Sequence, residues 1–152
     1  MYKELISELS KDNDYVKIQP PCPESEIKRA EKAVGYPFPK ELRALLRELD
    51  GDKWLLLSAK EITEQAELNK SMRSFYEREF GEGAYEERLG RLLFFAGNGC
   101  GDYYCYRADK DGVIDESTIY IWMHEDMGEE CCWEKVASSM TELITRYYNG
   151  EI

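Results

Sequence analysis

The chain has 152 residues, with 31 acidic and 20 basic side chains that give a formal net charge of −11. The length fits a single domain over residues 1–152, and 43% hydrophobic residues suffice for a packed core. The acidic charge argues against direct nucleic-acid binding, which draws most of its affinity from basic surface. The longest apolar runs, Trp54–Leu57 and Leu92–Ala96, are far shorter than the roughly 20 residues of a membrane span.

Helical patterns dominate the beginning of the chain. Met1–Leu9 and Glu24–Val34 each place their apolar residues on one face, as amphipathic helices do. Gly35 fits the left-handed position that commonly ends a helix, so it predicts the end of the second one. Lys40–Leu49 carries leucines at the i, i+3, i+4, i+7 spacing of a buried stripe, which predicts a third helix.

A short strand and a longer helical region follow. Trp54–Leu57 is apolar on both faces, which predicts a short strand in the centre of a sheet. Ser58 and Glu61 form a capping-box pattern that opens a helical region over roughly Ala59–Phe80. The apolar stripe of this region is poor, and we expect a break near Asn69.

The second half of the chain changes to short β-like runs, which are rich in β-branched and aromatic residues. Four strands are predicted, at Arg91–Phe95, Tyr103–Tyr106, Thr118–Met123 and Cys132–Val136. Gly97–Asp102 has the composition of a hairpin turn between the first two strands. A final helix begins near Ser138. Helices, then strands, then one helix predict an α+β fold, with a central, mostly antiparallel sheet flanked by N-terminal helices and a C-terminal helix.

The cysteines predict neither disulfides nor a metal site. Their number is odd, two are adjacent, and their spacing does not repeat the short knuckles of a zinc site. The N-terminus also lacks the basic and apolar regions of a signal peptide, so we expect a cytoplasmic protein with mostly buried free thiols. The five cysteines are Cys22, Cys100, Cys105, Cys131 and Cys132.

No motif for catalysis or for a cofactor stands out. The single histidine, His124, lies just past a predicted strand without a nucleophile motif, and we interpret it as an exposed loop residue. Gly97–Gly101 lacks the Lys-Ser/Thr ending of a phosphate-binding loop, and Asp109–Gly112 lacks the later ligands of a calcium loop. We therefore expect a protein that is not an enzyme and has no cofactor or metal. A hydrolase with a carboxylate pair among the 31 acidic residues stays open as an alternative.

The charge is concentrated in one segment. Residues 111–134 hold eight acidic side chains and no Lys or Arg. Such a segment is either a solvated face or a docking surface for a basic partner. Trp122 and Trp133 flank its central loop, either as aromatic anchors of an interface or as core residues. Our hypothesis for the contact residues is Asp115, Glu116, Trp122, Glu125, Asp126, Glu129 and Glu130.

Three segments, in order, resemble the motifs of a known family. The first is the Pro-rich lead into Glu24–Val34, followed by Tyr36–Leu46 and then Asp50-Gly51. It resembles the N-terminal signature of the SUKH superfamily, relatives of a fungal cell-wall-assembly regulator called SMI/KNR. Leu93–Tyr104 resembles its second motif, an apolar strand that leads into Gly-x-Gly-Asp and an aromatic strand. Trp133–Tyr148 resembles its closing strand and helix. The resemblance covers roughly residues 24–148.

The resemblance implies both a fold and a function. The family fold is α+β with a largely antiparallel sheet, and its bacterial members are mostly immunity proteins that neutralise a cognate toxin, often a nuclease. It brings no catalytic residues. We therefore expect an antitoxin whose partner is a basic protein toxin, bound through the acidic segment. The fungal relatives suggest the alternative, a scaffold or regulator of cell-envelope assembly. In the Gly-Asp position of the second motif, Asp102 is expected to be a structural turn residue.

Overall fold

The computed structural model describes residues 1–126 and 132–152, and within them the strands form one antiparallel sheet. The strands lie side by side in chain order, each paired with the next. They are β1 (Leu92–Gly97), β2 (Tyr103–Arg107), β3 (Ile119–Trp122) and β4 (Trp133–Ala137). The predicted α+β fold with a mostly antiparallel sheet is confirmed.

Six α-helices surround this sheet in the described parts of the chain. A short π-helix (Glu86–Gly90) precedes β1, and a 3-10 turn (His124–Asp126) follows β3. The α-helices are α1 (Tyr2–Leu9), α2 (Glu24–Val34), α3 (Lys40–Glu48), α4 (Ala59–Ser71), α5 (Arg73–Phe80) and α6 (Met140–Tyr148).

The helix boundaries follow local capping chemistry. Gly35 ends α2 with a φ of +96°, as predicted. The Oγ of Ser139 accepts the amide of Glu142 at 3.1 Å and starts α6. The break predicted near Asn69 falls at Met72, which separates α4 from α5.

The two faces of the sheet carry two separate hydrophobic clusters. Alternation along β1 sends Leu93 and Phe95 to one face and Phe94 to the other. The first face packs against side chains of α1, α2, α3 and α6 and forms the larger cluster. The second face packs against α5 and the π-helix, where Tyr76 and Leu89 are buried.

The prediction of a central strand at Trp54–Leu57 is wrong. It lies beside β1 and makes a single antiparallel bridge, between Leu56 and Ala96. The cause is Asp52, whose Oδ1 accepts the amides of residues 54, 55 and 56 at 2.8–2.9 Å. Because a carboxylate holds these amides, they do not extend a strand ladder, and Trp54 is 43% exposed.

Asp52 ties this segment to the end of the chain. It is fully buried, and its Oδ2 accepts the Tyr148 hydroxyl of α6 at 2.6 Å. Burial first, and then this hydrogen bond, raise the pKa of Tyr148 far above its ordinary value. The neighbouring Asp50 accepts the amide of Ala59 at 2.8 Å, at the start of α4. These two carboxylates therefore connect α4 and α6 to the edge of the sheet.

In the described ranges, no helix has the length and apolar character needed to cross a membrane.

Candidate partner-binding surface

One end of the sheet brings several aromatic residues into a single row. The strand pairing aligns Gly97 with Tyr103, Tyr103 with Trp122, and Trp122 with Trp133. Directly paired residues point to the same face, so the three aromatic side chains share the second face of the sheet. The β1–β2 turn and the 3-10 turn after β3 both lie at this end. The Gly-rich motif and the acidic segment are therefore neighbours in the fold.

An Asp–His pair connects the two turns. The Oδ1 of Asp102 accepts the His124 amide at 3.0 Å and lies 2.6 Å from His124 Nδ1. Gly101 permits this approach, because a Cβ at that position would lie 2.9 Å from His124 Nδ1. Asp102 is thus a structural residue, as the sequence suggests, although the amide that it accepts belongs to the neighbouring turn. His124 is exposed, and its ring is held in place by Asp102.

The pKa of the Asp102 carboxyl leads us to expect that the fold loses stability in acid. Its partial burial favours a higher pKa, but hydrogen bonds from His124 and Asn98 outweigh burial and lower the pKa below its ordinary value. A carboxylate with a lowered folded-state pKa stabilises the fold above its unfolded pKa and loses that contribution as the pH falls through the folded value. Urea unfolding between pH 7 and pH 2.5 should show a shallower acid loss for Asp102→Asn. The control Asp111→Asn, at an exposed position, should follow the wild type. Identical acid limbs for Asp102→Asn and wild type would contradict this role.

The acidic contact residues of our hypothesis are placed at two ends of β3. Glu125 and Asp126 lie in the 3-10 turn, next to the Asp102–His124 pair. Asp115 and Glu116 lie before β3, so at least the strand length of roughly 13 Å, at about 3.3 Å per residue, separates the two groups. Glu129 and Glu130 fall outside the described residues. The structure therefore brings together Glu125 and Asp126, and it places Asp115 and Glu116 elsewhere.

Glu116 has a structural partner. Its Oε1 accepts the amide of Lys40 at 2.6 Å, at the first residue of α3. The residue before that helix is Pro39, which supplies no side-chain cap, so Glu116 caps α3 from a distant part of the chain. Asp115 accepts the amide and hydroxyl of Ser117, and these hydrogen bonds lower its pKa. Substitutions at these two positions would therefore change the stability of the fold, so they cannot test a contact with a partner on their own.

The described carboxylates of the acidic segment lack basic partners. Ion pairs elsewhere in the chain join Glu24 to Arg47 and Glu86 to Arg73, among others. Within residues 1–126 and 132–152, no carboxylate of the acidic segment forms an ion pair with a Lys or Arg side chain. Among the described residues, these carboxylates are therefore not neutralised by a Lys or Arg side chain at ion-pair distance.

The two tryptophans of this segment lie on the second face of the sheet. Trp122 is 8% exposed and packs on Phe94 with ring centroids 5.3 Å apart. Trp133 is half-buried, and the Arg107 guanidinium lies 4.2 Å from its ring centroid. The sequence left open whether Trp122 is an interface anchor or a core residue. In this structure Trp122 is a core residue. Whether it contacts a partner stays a prediction.

A pair of exposed aromatic side chains was not predicted. Trp54 stacks on Tyr15 with centroids 5.8 Å apart, and the two are 43% and 75% exposed. Trp54 lines a cleft of about 430 Å³ between its own segment and the β1–β2 turn, with Tyr103 on the other wall. Exposed Trp and Tyr are typical anchors of protein interfaces. No sequence pattern signals this, because the exposure follows from the Asp52 hydrogen bonds.

The cysteines show mixed environments. Cys22, Cys105 and Cys132 are buried, whereas Cys100 is exposed in the β1–β2 turn and Cys131 lies outside the described residues. Burial raises the pKa of Cys22 to about 11, so this thiol stays protonated. In the part of the chain that the structure describes, no group of three His, Cys, Asp or Glu side chains is arranged to hold a metal ion.

Comparison with protein families agrees with this fold. The model of the SMI1 / KNR4 family (SUKH-1) matches residues 21–146, which is most of the chain. The chain belongs to this family, as the resemblance of its motifs indicates. Membership is consistent with an immunity protein. A search of the curated proteins finds no match.

Proposed function

We propose that this protein is an immunity protein that binds and neutralises a cognate bacterial toxin in the cytoplasm of the producing cell. The family match over residues 21–146 carries the proposal. The toxin is a basic protein, such as a nuclease, and the immunity protein covers its active cleft without performing any reaction itself.

The acidic end of the sheet supports this function. Glu125 and Asp126 are free of ion pairs with the described residues and directly follow His124, which is hydrogen-bonded to Asp102. A nuclease needs a basic surface to bind phosphates, and a fixed array of carboxylates can occupy that surface instead. Complementary charge also speeds the encounter of the two proteins. Trp54 and Tyr15 supply exposed aromatic area for a second contact.

The function is tested by capture followed by a growth assay. The purified protein captures partners from the native lysate at low and high salt, and the bound proteins are identified by mass. Each captured protein is then expressed in a host with and without this chain. A basic protein that arrests growth, and whose effect co-expression abolishes, is the expected result. Several envelope proteins without toxicity would instead favour the scaffold of cell-envelope assembly and contradict the proposal.

Charge reversal is expected to weaken binding of the toxin. The double variant Glu125→Lys, Asp126→Lys should lower affinity at least tenfold, mainly through slower association, because it replaces attraction with repulsion. Adding Glu129→Lys and Glu130→Lys should weaken binding further. The melting temperature should change little, since Glu125 and Asp126 form no described ion pair. Association rates measured at two salt concentrations would show the loss of electrostatic steering.

A matched control separates local from global charge. The double variant Asp12→Lys, Glu82→Lys makes the same change in net charge at two exposed positions outside the acidic segment. It should retain nearly the wild-type affinity. Equal affinities for both double variants would remove the acidic surface from the interface while leaving the immunity function open to other surfaces.

A further inference from the structure

The cleft between Trp54 and the β1–β2 turn is an open concave site with an exposed aromatic residue. Its volume of about 430 Å³ lies within the range of ligand sites, roughly 300–1,000 Å³. Gly97, Gly99 and Gly101 of the turn line it, so no side chain from these three positions fills the space. Polar atoms predominate in its lining, which distinguishes it from a purely apolar groove.

Trp54 is held in its exposed position by the backbone that precedes it. In the described ranges, Lys53 is the one residue other than glycine with a positive φ, +58°. Residues in such costly conformations cluster at functional sites. Asp52 Oδ1 accepts the Trp54 amide at 2.9 Å, and Tyr15 stacks on the indole. The indole, on a residue that is 43% exposed, is therefore preorganised for a contact.

The ionisable side chains along the cleft favour a cation. Two carboxylates, Glu61 and Asp102, line it with one ammonium, that of Lys53, so their net charge is −1. Neither carboxylate forms an ion pair with a Lys or Arg side chain in the described ranges. Glu61 Oε1 accepts the Ser58 amide, and Asp102 Oδ2 accepts a long hydrogen bond of 3.4 Å from Asn98. Both carboxylates therefore keep capacity for further donors.

These groups together match a guanidinium. Trp is the best aromatic partner for a cation, and Arg lies over aromatic rings more often than Lys does. The planar guanidinium also carries five N–H donors, which suit carboxylate acceptors. The leucines at positions 55–57 line the same cleft and can pack against the methylene groups of a long side chain.

We infer that this cleft receives an arginine side chain of the basic partner, with its guanidinium against Trp54 and its N–H groups donating to Glu61. This inference rests on the proposed immunity function and names one anchor of the interface. The acidic turn lies close by, because Asp102 lines the cleft and accepts the amide of His124, which directly precedes Glu125. One basic protein can therefore contact both the cleft and the turn.

Three small peptides test the cleft on this chain alone. They are Ac-Gly-Arg-Gly-NH2 and its counterparts with citrulline and with lysine in the central position. Citrulline keeps the shape of arginine without its charge, whereas lysine keeps the charge without the planar fork. Each peptide is titrated at constant ionic strength into the ¹⁵N-labelled protein while the Trp54 indole N–H resonance is followed by NMR. The arginine peptide should shift this resonance and bind about tenfold more tightly than the citrulline peptide, with lysine between them.

Variants of the cleft separate recognition from stability. Glu61→Gln retains the capping box of α4, because glutamine also serves at that position, and it should reduce the preference for arginine over citrulline. Lys53→Gln removes the like charge and should raise the affinity for the arginine peptide about twofold or more, a gain that damage to the fold does not produce. The control Leu68→Ala removes an exposed apolar side chain that does not line this cleft and should change nothing. Trp54→Leu identifies the Trp54 resonance by its absence.

The other outcomes overturn the inference. Equal affinities for the arginine and citrulline peptides, or a Trp54 resonance that no peptide moves, would show that the cleft does not select a guanidinium. Tighter binding of free L-arginine than of the blocked peptide would indicate an amino-acid ligand and overturn the protein source. The comparison of peptides needs no toxin, so its failure leaves the immunity function standing. Failure of the growth assay overturns the function itself, even where the arginine peptide binds.

Discussion

Replacing Asp52 with alanine is expected to lower the free energy of unfolding by about 3–5 kcal/mol. The carboxylate accepts three consecutive amides through Oδ1 and the Tyr148 hydroxyl through Oδ2. Alanine would leave at least the buried amides of residues 55 and 56 without partners, and each such group costs about 1–3 kcal/mol. Urea unfolding should show a lower midpoint with an unchanged slope.

Two further variants make the Asp52 prediction sharper. Tyr148→Phe removes only one of the four hydrogen bonds and should cost about 1.5–3 kcal/mol, and it remains measurable if Asp52→Ala does not fold. Asp12→Ala, at an exposed position, should change stability by less than about 0.5 kcal/mol. If Asp52→Ala were as stable as Asp12→Ala, the hydrogen bonds that Asp52 accepts would not stabilise the fold as described.

Gly51→Ala is the second large effect, and we expect a loss of about 3 kcal/mol. Gly51 has a φ of +87°, and a Cβ there would lie 2.9 Å from the backbone nitrogen of Ser58. The left-handed conformation alone costs an alanine about 1–2 kcal/mol, and overpacking adds about 1–3 kcal/mol. Relief is difficult because Ser58 is held in the capping box of α4.

Gly35 provides a matched control for Gly51. It also has a positive φ, +96°, but nothing lies within 4 Å of the Cβ position. Gly35→Ala should therefore cost only the conformational part, about 1–2 kcal/mol. The difference between the two variants in thermal or urea unfolding measures the backbone contact at Gly51. Equal losses would show that the loop around residues 51–58 yields without cost.

The parts of the fold that were predicted well depend on short-range signals. The helix Glu24–Val34 has its bounds as predicted, because an apolar stripe and a C-terminal glycine act within a few residues. The strands agree to within one or two residues. The prediction of a central strand at Trp54–Leu57 was wrong, because the exposure of Trp54 depends on its hydrogen bond to Asp52. The periodicity of a sequence does not show where a neighbouring carboxylate will point.

The candidate site was less accessible from sequence. The acidic segment is visible as a charge imbalance, but its division into two groups depends on where β3 begins and ends. The Asp102–His124 pair joins residues 22 apart, and only the register that pairs Tyr103 with Trp122 brings them together. Likewise, Glu116 resembles a surface carboxylate until the fold places it at the start of α3.

The outer edges of the sheet bear on how a partner can be recognised. On the β1 side, the Leu57 amide donates to Phe95 and the Gly97 amide donates to Leu55, so backbone of the same chain occupies that edge. The opposite edge is β4, a short strand that carries the exposed Glu134 and Lys135. The Arg146 side chain donates a hydrogen bond to the Val136 carbonyl oxygen of this strand. Occupied, short and charged edges discourage the addition of a strand from another chain. Recognition by strand addition is therefore disfavoured, and we expect a partner to contact side chains at the turns instead. Such an interface can change its specificity by substitution at the turns while the sheet beneath stays the same.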